Sequence, residues 1–154
     1  MADLHDIYSA RILELAGSIS HTARLATPDA TATAHSKLCG STVTIDLNIE
    51  HGRVADFGQS VKACLLGQSA CAVVGREIVG SEPRELRQVG AQMRSMLKAG
   101  GPPPSGRWAD LAVLQPVRDY KGRHASVLLI FDAVENALAQ IEAGQTTAQP
   151  VARA

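Results

Sequence analysis

Leu38-Cys39-Gly40-Ser41-Thr42-Val43-Thr44-Ile45-Asp46-Leu47-Asn48-Ile49-Glu50 decides the fold. Val43, Ile45, Leu47 and Ile49 alternate with Thr42, Thr44, Asp46, Asn48 and Glu50. That period of two is the pattern of a strand with one buried and one wet face. His51-Gly52 supplies turn chemistry, and Val54-Ala55-Asp56-Phe57 begins a second strand that ends near Ser60, giving an antiparallel hairpin. A thiol stands on either side of it, Cys39 before and Cys64 after, the latter in Lys62-Ala63-Cys64-Leu65. The two ends of a hairpin lie at the same end of the sheet, so the thiols can approach each other despite their separation in sequence. Two thiols at two chain turns point to a soft-metal or sulfur site.

Downstream, residues 64–79 carry small and apolar side chains on most sides, as a helix buried against the sheet would, and Gly80 can close it. Cys64 falls in its first turn, where unpaired N–H groups and the positive end of the helix dipole favour a thiolate, and Lys62 acts in the same sense. Ser81-Glu82-Pro83 signals a new helix, with the Ser81 hydroxyl as cap. Its apolar stripe is Leu86, Val89, Met93, Met96 and Leu97, ending at Gly100-Gly101. Gly100-Gly101-Pro102-Pro103-Pro104-Ser105-Gly106 reads as a loop, and Trp108 to Leu114 as a short helix stopped before Pro116. A last helix from about Ala125 presents Val127, Phe131, Val134, Leu138 and Ile141.

Upstream, Leu4, Tyr8, Ile12 and Leu15 mark an amphipathic N-terminal helix closed by Gly17. Residues 18–36 read as a long surface connection, with no third strand visible in the periodicity before Cys39. The expected class is α+β, a small antiparallel sheet of two or three strands with helices packed on one face. One domain is expected over 1–143, with a polar, disordered tail over 144–154.

Composition narrows the function. The 154 residues carry 15 basic and 15 acidic side chains, with Trp108, Tyr8, Tyr120, Phe57 and Phe131 as the aromatics. Neither an electrostatic footprint nor a stacking platform for nucleic acid is present. No apolar run approaches a membrane span and the start lacks a secretory pattern, so a cytoplasmic location is expected. Three cysteines, Cys39, Cys64 and Cys71, are an odd count, and thiols in a reducing compartment serve metals or chemistry more than disulfides. Phosphate loops, nucleophile elbows and zinc-protease helices are absent, so a self-contained enzyme is not expected.

The order of these features resembles the iron-sulfur cluster scaffold family of IscU, SufU and the N-terminal domain of NifU. It runs from N-terminal helix through Cys39-Gly40 at a strand start, hairpin and Cys64 at a helix start to C-terminal helix, covering roughly residues 4–138. Asp110 to Val117 looks like the extra insertion of SufU-type members. Two family residues are missing. Ser41 replaces the Asp that follows Cys-Gly, and no third cysteine precedes the last helix. Aligned to the family's His-Cys-Ser, His124-Ala125-Ser126 puts Ala125 at the lost thiol; aligned through Asp132-Ala133-Val134-Glu135, it puts Ser126 there.

The resemblance implies a scaffold or carrier that takes sulfur from a cysteine desulfurase, with Cys39 as acceptor. Cys39, Cys64 and His124 would hold iron or a labile 2Fe-2S cluster for transfer to apo iron-sulfur proteins, and a homodimer could share the cluster. Alternatives are a zinc-dependent sulfur relay and a non-catalytic desulfurase adaptor. Cys71, two helical turns beyond Cys64, reads as an ordinary buried cysteine. His35 lies within reach of Cys39 but in a loop, and His5, His21 and His51 have no supporting context. The basic stretch Arg118 to Arg123 is a solvated loop or a surface for a desulfurase or an anionic chaperone.

Overall fold

The computed structural model describes residues 8–38 and 40–146. The alternating stretch forms β2 (Thr42–Glu50), which pairs antiparallel with β3 (Arg53–Lys62), and β3 runs two residues past the expected end. Val43, Ile45 and Leu47 are fully buried on the inner face.

A third strand, β1 (Ala30–His35), pairs antiparallel with the other side of β2, so the order is β1-β2-β3. It corrects the expected loop over 18–36. Ala30, Ala32 and Ala34 point inward and Thr31, Thr33 and His35 outward, a strict period of two whose apolar half is alanine, too small to register as hydrophobic patterning. The preceding connection is also ordered on the sheet. His21 O accepts from Gln59 N at 2.8 Å, and Arg24 pairs with the fully buried Asp46 at 2.6 Å. Asp46 also accepts from Leu25 N at 3.0 Å and Thr31 Oγ1 at 2.6 Å. Gly58 permits this crossing, because a Cβ there would lie 2.5 Å from Ala23 O.

Among the described residues, four α-helices follow the predicted order. The first, α1 (Ala10–Ala16), is capped by Ser9, whose hydroxyl accepts from Ile12 N, and it buries Ile12 and Leu15. Leu4 lies outside the described residues. The others are α2 (Leu65–Glu77), α3 (Pro83–Ala99) and α4 (His124–Thr146). Helix α4 packs on β1 and β2 and against α2 and α3, which puts the helical layer on one face of the sheet. The core is one contiguous apolar cluster. Helix α4 continues three residues past the expected domain end at 143, and residues 147–154 of the expected tail lie outside the described residues.

Two local expectations are corrected. Glu82, not Ser81, takes the N-cap position of α3. The Ser81 hydroxyl donates to Glu77 O at 3.1 Å and accepts from Arg107 at 2.6 Å, tying two helices and a loop together. Gly106–Asp119 is not a short α-helix but successive 3-10 turns running through Pro116. Its buried residues are Trp108, Leu111, Leu114 and Val117. Their spacing of three is what a 3-10 helix needs to keep one face inward.

Candidate functional site

The sheet brings the β1–β2 connection and the approach to Cys64 to one end. Thr42 pairs with His35 on one side and Lys62 on the other, so the β1–β2 connection and the start of α2 leave the sheet together. Cys64 is the half-buried N-cap residue of α2, with extended backbone. Its Sγ lies 3.1 Å from Ser126 Oγ, and the thiol and hydroxyl share a hydrogen bond. Ser126 is in the first turn of α4 and only 2% exposed. The two helix starts meet because residue 67 has no side chain. A Cβ on Gly67 would stand 2.8 Å from Ser126 Oγ and 2.9 Å from Ser126 O.

Cys39 lies outside the described residues. Its neighbours form a closed connection in which Gly40 N donates to Ser36 O at 2.8 Å and Ser36 N to Ser41 O at 2.9 Å. Gly40 takes φ +72°, a left-handed conformation that favours glycine. Ser41 is buried, and Ser36 Oγ is buried with no hydrogen-bond partner among the described residues. Leu38 and Leu65, each next to a cysteine in sequence, are exposed.

The two alignments of His124-Ala125-Ser126 differ in which residue takes the third family position, and the two residues sit differently. Ser126 faces Cys64 and Ala125 faces solvent. His124 is buried, and its Nε2 donates to Val117 O at 3.0 Å and Arg118 O at 3.1 Å. Carbonyls only accept, so Nε2 carries the proton and Nδ1 is the one ring nitrogen with a lone pair for a metal. Among the described residues no three His, Cys, Asp or Glu side chains gather into a metal cluster. Cys71 sits in the core, where burial pushes its thiol up to about 12. His35 Nδ1 is 2.8 Å from Thr42 Oγ1 at the same end of the sheet as Cys64. His21 lies edge-on to Phe57 and His51 is in the β2–β3 turn, while His5 is outside the described residues.

Sequence reading expected Cys64 at a helix start, where the structure has it, but missed Gly67, whose only signal is a glycine near the start of a helix rich in small and apolar residues. It also missed an open cleft beside the site, lined by Leu97, Lys98, Arg118, Lys121, His124 and Ala125. No helix among the described residues is long and apolar enough to cross a membrane.

Compared with known proteins, the chain matches no family profile. It is 24% identical over 137 residues to the iron-sulfur cluster assembly scaffold protein IscU of Thermotoga maritima, a match covering 88% of this chain and 94% of that one. Its fold matches the crystal structure of a putative iron-sulfur cluster assembly scaffold protein for the SUF system from Fervidobacterium islandicum, with TM-score 0.80 and 19% identity over 88% of this chain and 99% of the other. The crystal structure of a nitrogen-fixing NifU-like protein (N-terminal) from Brucella abortus superposes with TM-score 0.89 at 53% identity, covering 91% of this chain and 97% of that one. With the two-cysteine framework on a three-stranded sheet, that identity over nearly the whole of a relative places the chain in the IscU/SufU/NifU family of iron-sulfur cluster assembly scaffolds.

Proposed function

We propose that this chain is a cytoplasmic carrier of labile iron-sulfur cargo, with Cys39 and Cys64 as its thiolates. One observation carries the reading: the third position beside Cys64 is occupied at 3.1 Å by a hydroxyl, Ser126, not a thiol. Thiolates bind iron and sulfide strongly, whereas a neutral hydroxyl is a poor ligand at neutral pH. A site with two thiolates, with His124 Nδ1 as a third donor, holds its 2Fe-2S cluster or iron weakly, which suits a donor to apo-proteins. Sharing between two copies would supply four thiolates.

Sulfur arrives by exchange. The Cys39 thiolate attacks the outer sulfur of a desulfurase persulfide, a new S–S bond forms on Cys39, the old one breaks, and the desulfurase thiolate leaves. No net oxidation occurs in that step.

The test is anaerobic purification with iron, zinc and acid-labile sulfide analysis of wild type, Cys39→Ser and Cys64→Ser. Iron with sulfide, lost in both variants, is the expected result. Zinc without sulfide would replace this reading with a zinc-dependent sulfur relay. A second reading, a non-catalytic desulfurase adaptor, is favoured by the hydroxyls Ser41 and Ser126 at both departing family positions, each buried. An empty chain after reconstitution with a desulfurase, with docking intact, would establish it.

A further inference from the structure

The cleft beside the thiol site measures about 340 Å³ and lies between the end of α3 (Leu97, Lys98), the end of the 3-10 segment (Arg118), a separate 3-10 turn over Lys121–Arg123 (Lys121) and the start of α4 (His124, Ala125). Lys98, Arg118 and Lys121 are exposed, and none of them forms an ion pair with a described residue. Lys37, Arg53, Lys62, Arg84 and Arg123 likewise form no ion pair with a described residue, but none of them lines this cleft. Arg11, Arg24, Arg76, Arg87, Arg94 and Arg107 each pair with a carboxylate. The acidic residue nearest in sequence, Asp119, lines an adjoining cleft with Gln115, Pro116 and Arg118 and does not line this one. Three uncompensated positive charges from separate segments therefore converge on one concavity in a chain whose formal net charge is zero.

We propose that this cleft docks an acidic segment of a partner protein, placing the partner beside Cys64. Charge complementarity sets the sign of the ligand. Its size follows from the lining: no buried cation grips a small anion, and each exposed lysine or arginine pair contributes little alone. Useful affinity then requires several carboxylates on one chain, spread across the three cations, with the buried Leu97 and exposed Ala125 offering apolar contact between them. Ala125 is bonded to Ser126, so an occupant of the cleft lies next to the helix start that meets Cys64. The purpose of such docking rests on the carrier reading, but its occurrence does not.

The experiment is a titration of the ¹⁵N-labelled, metal-free full chain with hexaglutamate, followed by amide shifts. Saturable shifts at Lys98, Lys121 and Ala125 are expected, with affinity falling by about tenfold when ionic strength is raised from low to physiological. Lys98→Glu with Lys121→Glu should abolish them, whereas Lys37→Glu should not. Both variants are checked for an unchanged thermal midpoint, and an Arg118→Gln variant giving partial loss serves if the double reversal unfolds the chain. Shifts of similar size at Lys37 and Arg84, or full binding by the folded reversal variant, would overturn the proposal. Equal competition by pyrophosphate at matched charge would overturn it in favour of a small-anion site. Chemical reconstitution of the reversal variant separates the two readings: unchanged iron and sulfide with lost peptide binding is the expected pattern, and failure of the wild type to take up cluster would sink the carrier reading alone.

Discussion

Ser126 lies 3.1 Å from Cys64 Sγ and is shielded from solvent, and on the proposed carrier reading it stands where a third thiolate would complete the ligand set. Ser126→Cys should therefore slow loss of cluster to a chelator by about tenfold, equivalent to about 1.4 kcal/mol. Visible absorbance decay under anaerobic conditions reads it; an unchanged decay would mean that the cargo does not reach this position. Cys71 behaves oppositely. Its thiol is 1% exposed and pushed up to about 12. Iodoacetamide at about pH 8 should leave it unmodified in the folded chain and alkylate it once denaturant is added, with peptide mass spectrometry as readout. The placement of Cys64 at a helix start and of Cys71 in the core was legible from helical spacing and family order. Which of Ala125 and Ser126 faces Cys64 was not, because they are adjacent, small and equally compatible with a helix start, and only the direction in which α4 turns distinguishes them.

At the scale of elements, the site depends on how closely α2 and α4 approach. Gly67→Ala in an isolated helix would be favourable by about 1 kcal/mol. Here the added Cβ meets Ser126 Oγ at 2.8 Å and Ser126 O at 2.9 Å, so the helix starts must separate. The variant should lose about 1–3 kcal/mol in urea unfolding and retain less cluster; a gain in stability would show that the contact relaxes freely. Period-two and stripe patterns made β2, β3, α1, α3 and α4 readable, and a small, apolar composition made α2 so. Strand β1 and the 3-10 segment obey equally strict periods that hydrophobicity alone conceals. Strand β1 writes its buried half in alanine, and the 3-10 segment repeats Trp108, Leu111, Leu114 and Val117 at three, which resembles neither of the commoner periods.

Over the whole molecule, the irregular segments are fastened to the regular ones by carboxylates. Asp46 anchors the crossing segment at Arg24 and Leu25 and pairs across the sheet with Thr31. Glu85 on α3 accepts from Arg107 and from Trp108 Nε1 at 2.8 Å in the 3-10 segment, and Asp110 in that segment joins Arg11 of α1 to Arg76 of α2. Burial pushes the Asp46 and Glu85 carboxyls up, but their hydrogen bonds, from Arg24, Thr31 and Leu25 in one case and Trp108 and Arg107 in the other, together outweigh it. Both end below their ordinary values. The hydrogen bond from Arg76 leads the lowering of Asp110. A carboxyl whose value is depressed on folding binds its proton more readily in the unfolded chain. Its stabilising contribution is therefore complete above the unfolded value of about 4 and is lost as pH falls through that value toward the folded one. The urea midpoint should drop steeply between about pH 5 and pH 3. Asp46→Ala, which leaves the Leu25 amide and Thr31 hydroxyl without their acceptor, should cost about 1–3 kcal/mol at neutral pH. It should also flatten the acid slope, because the group that takes up the proton is gone. Parallel urea curves for wild type and variant at pH 7 and pH 3.5 measure both effects, and equal slopes would show that Asp46 titrates alike in the folded and unfolded chains.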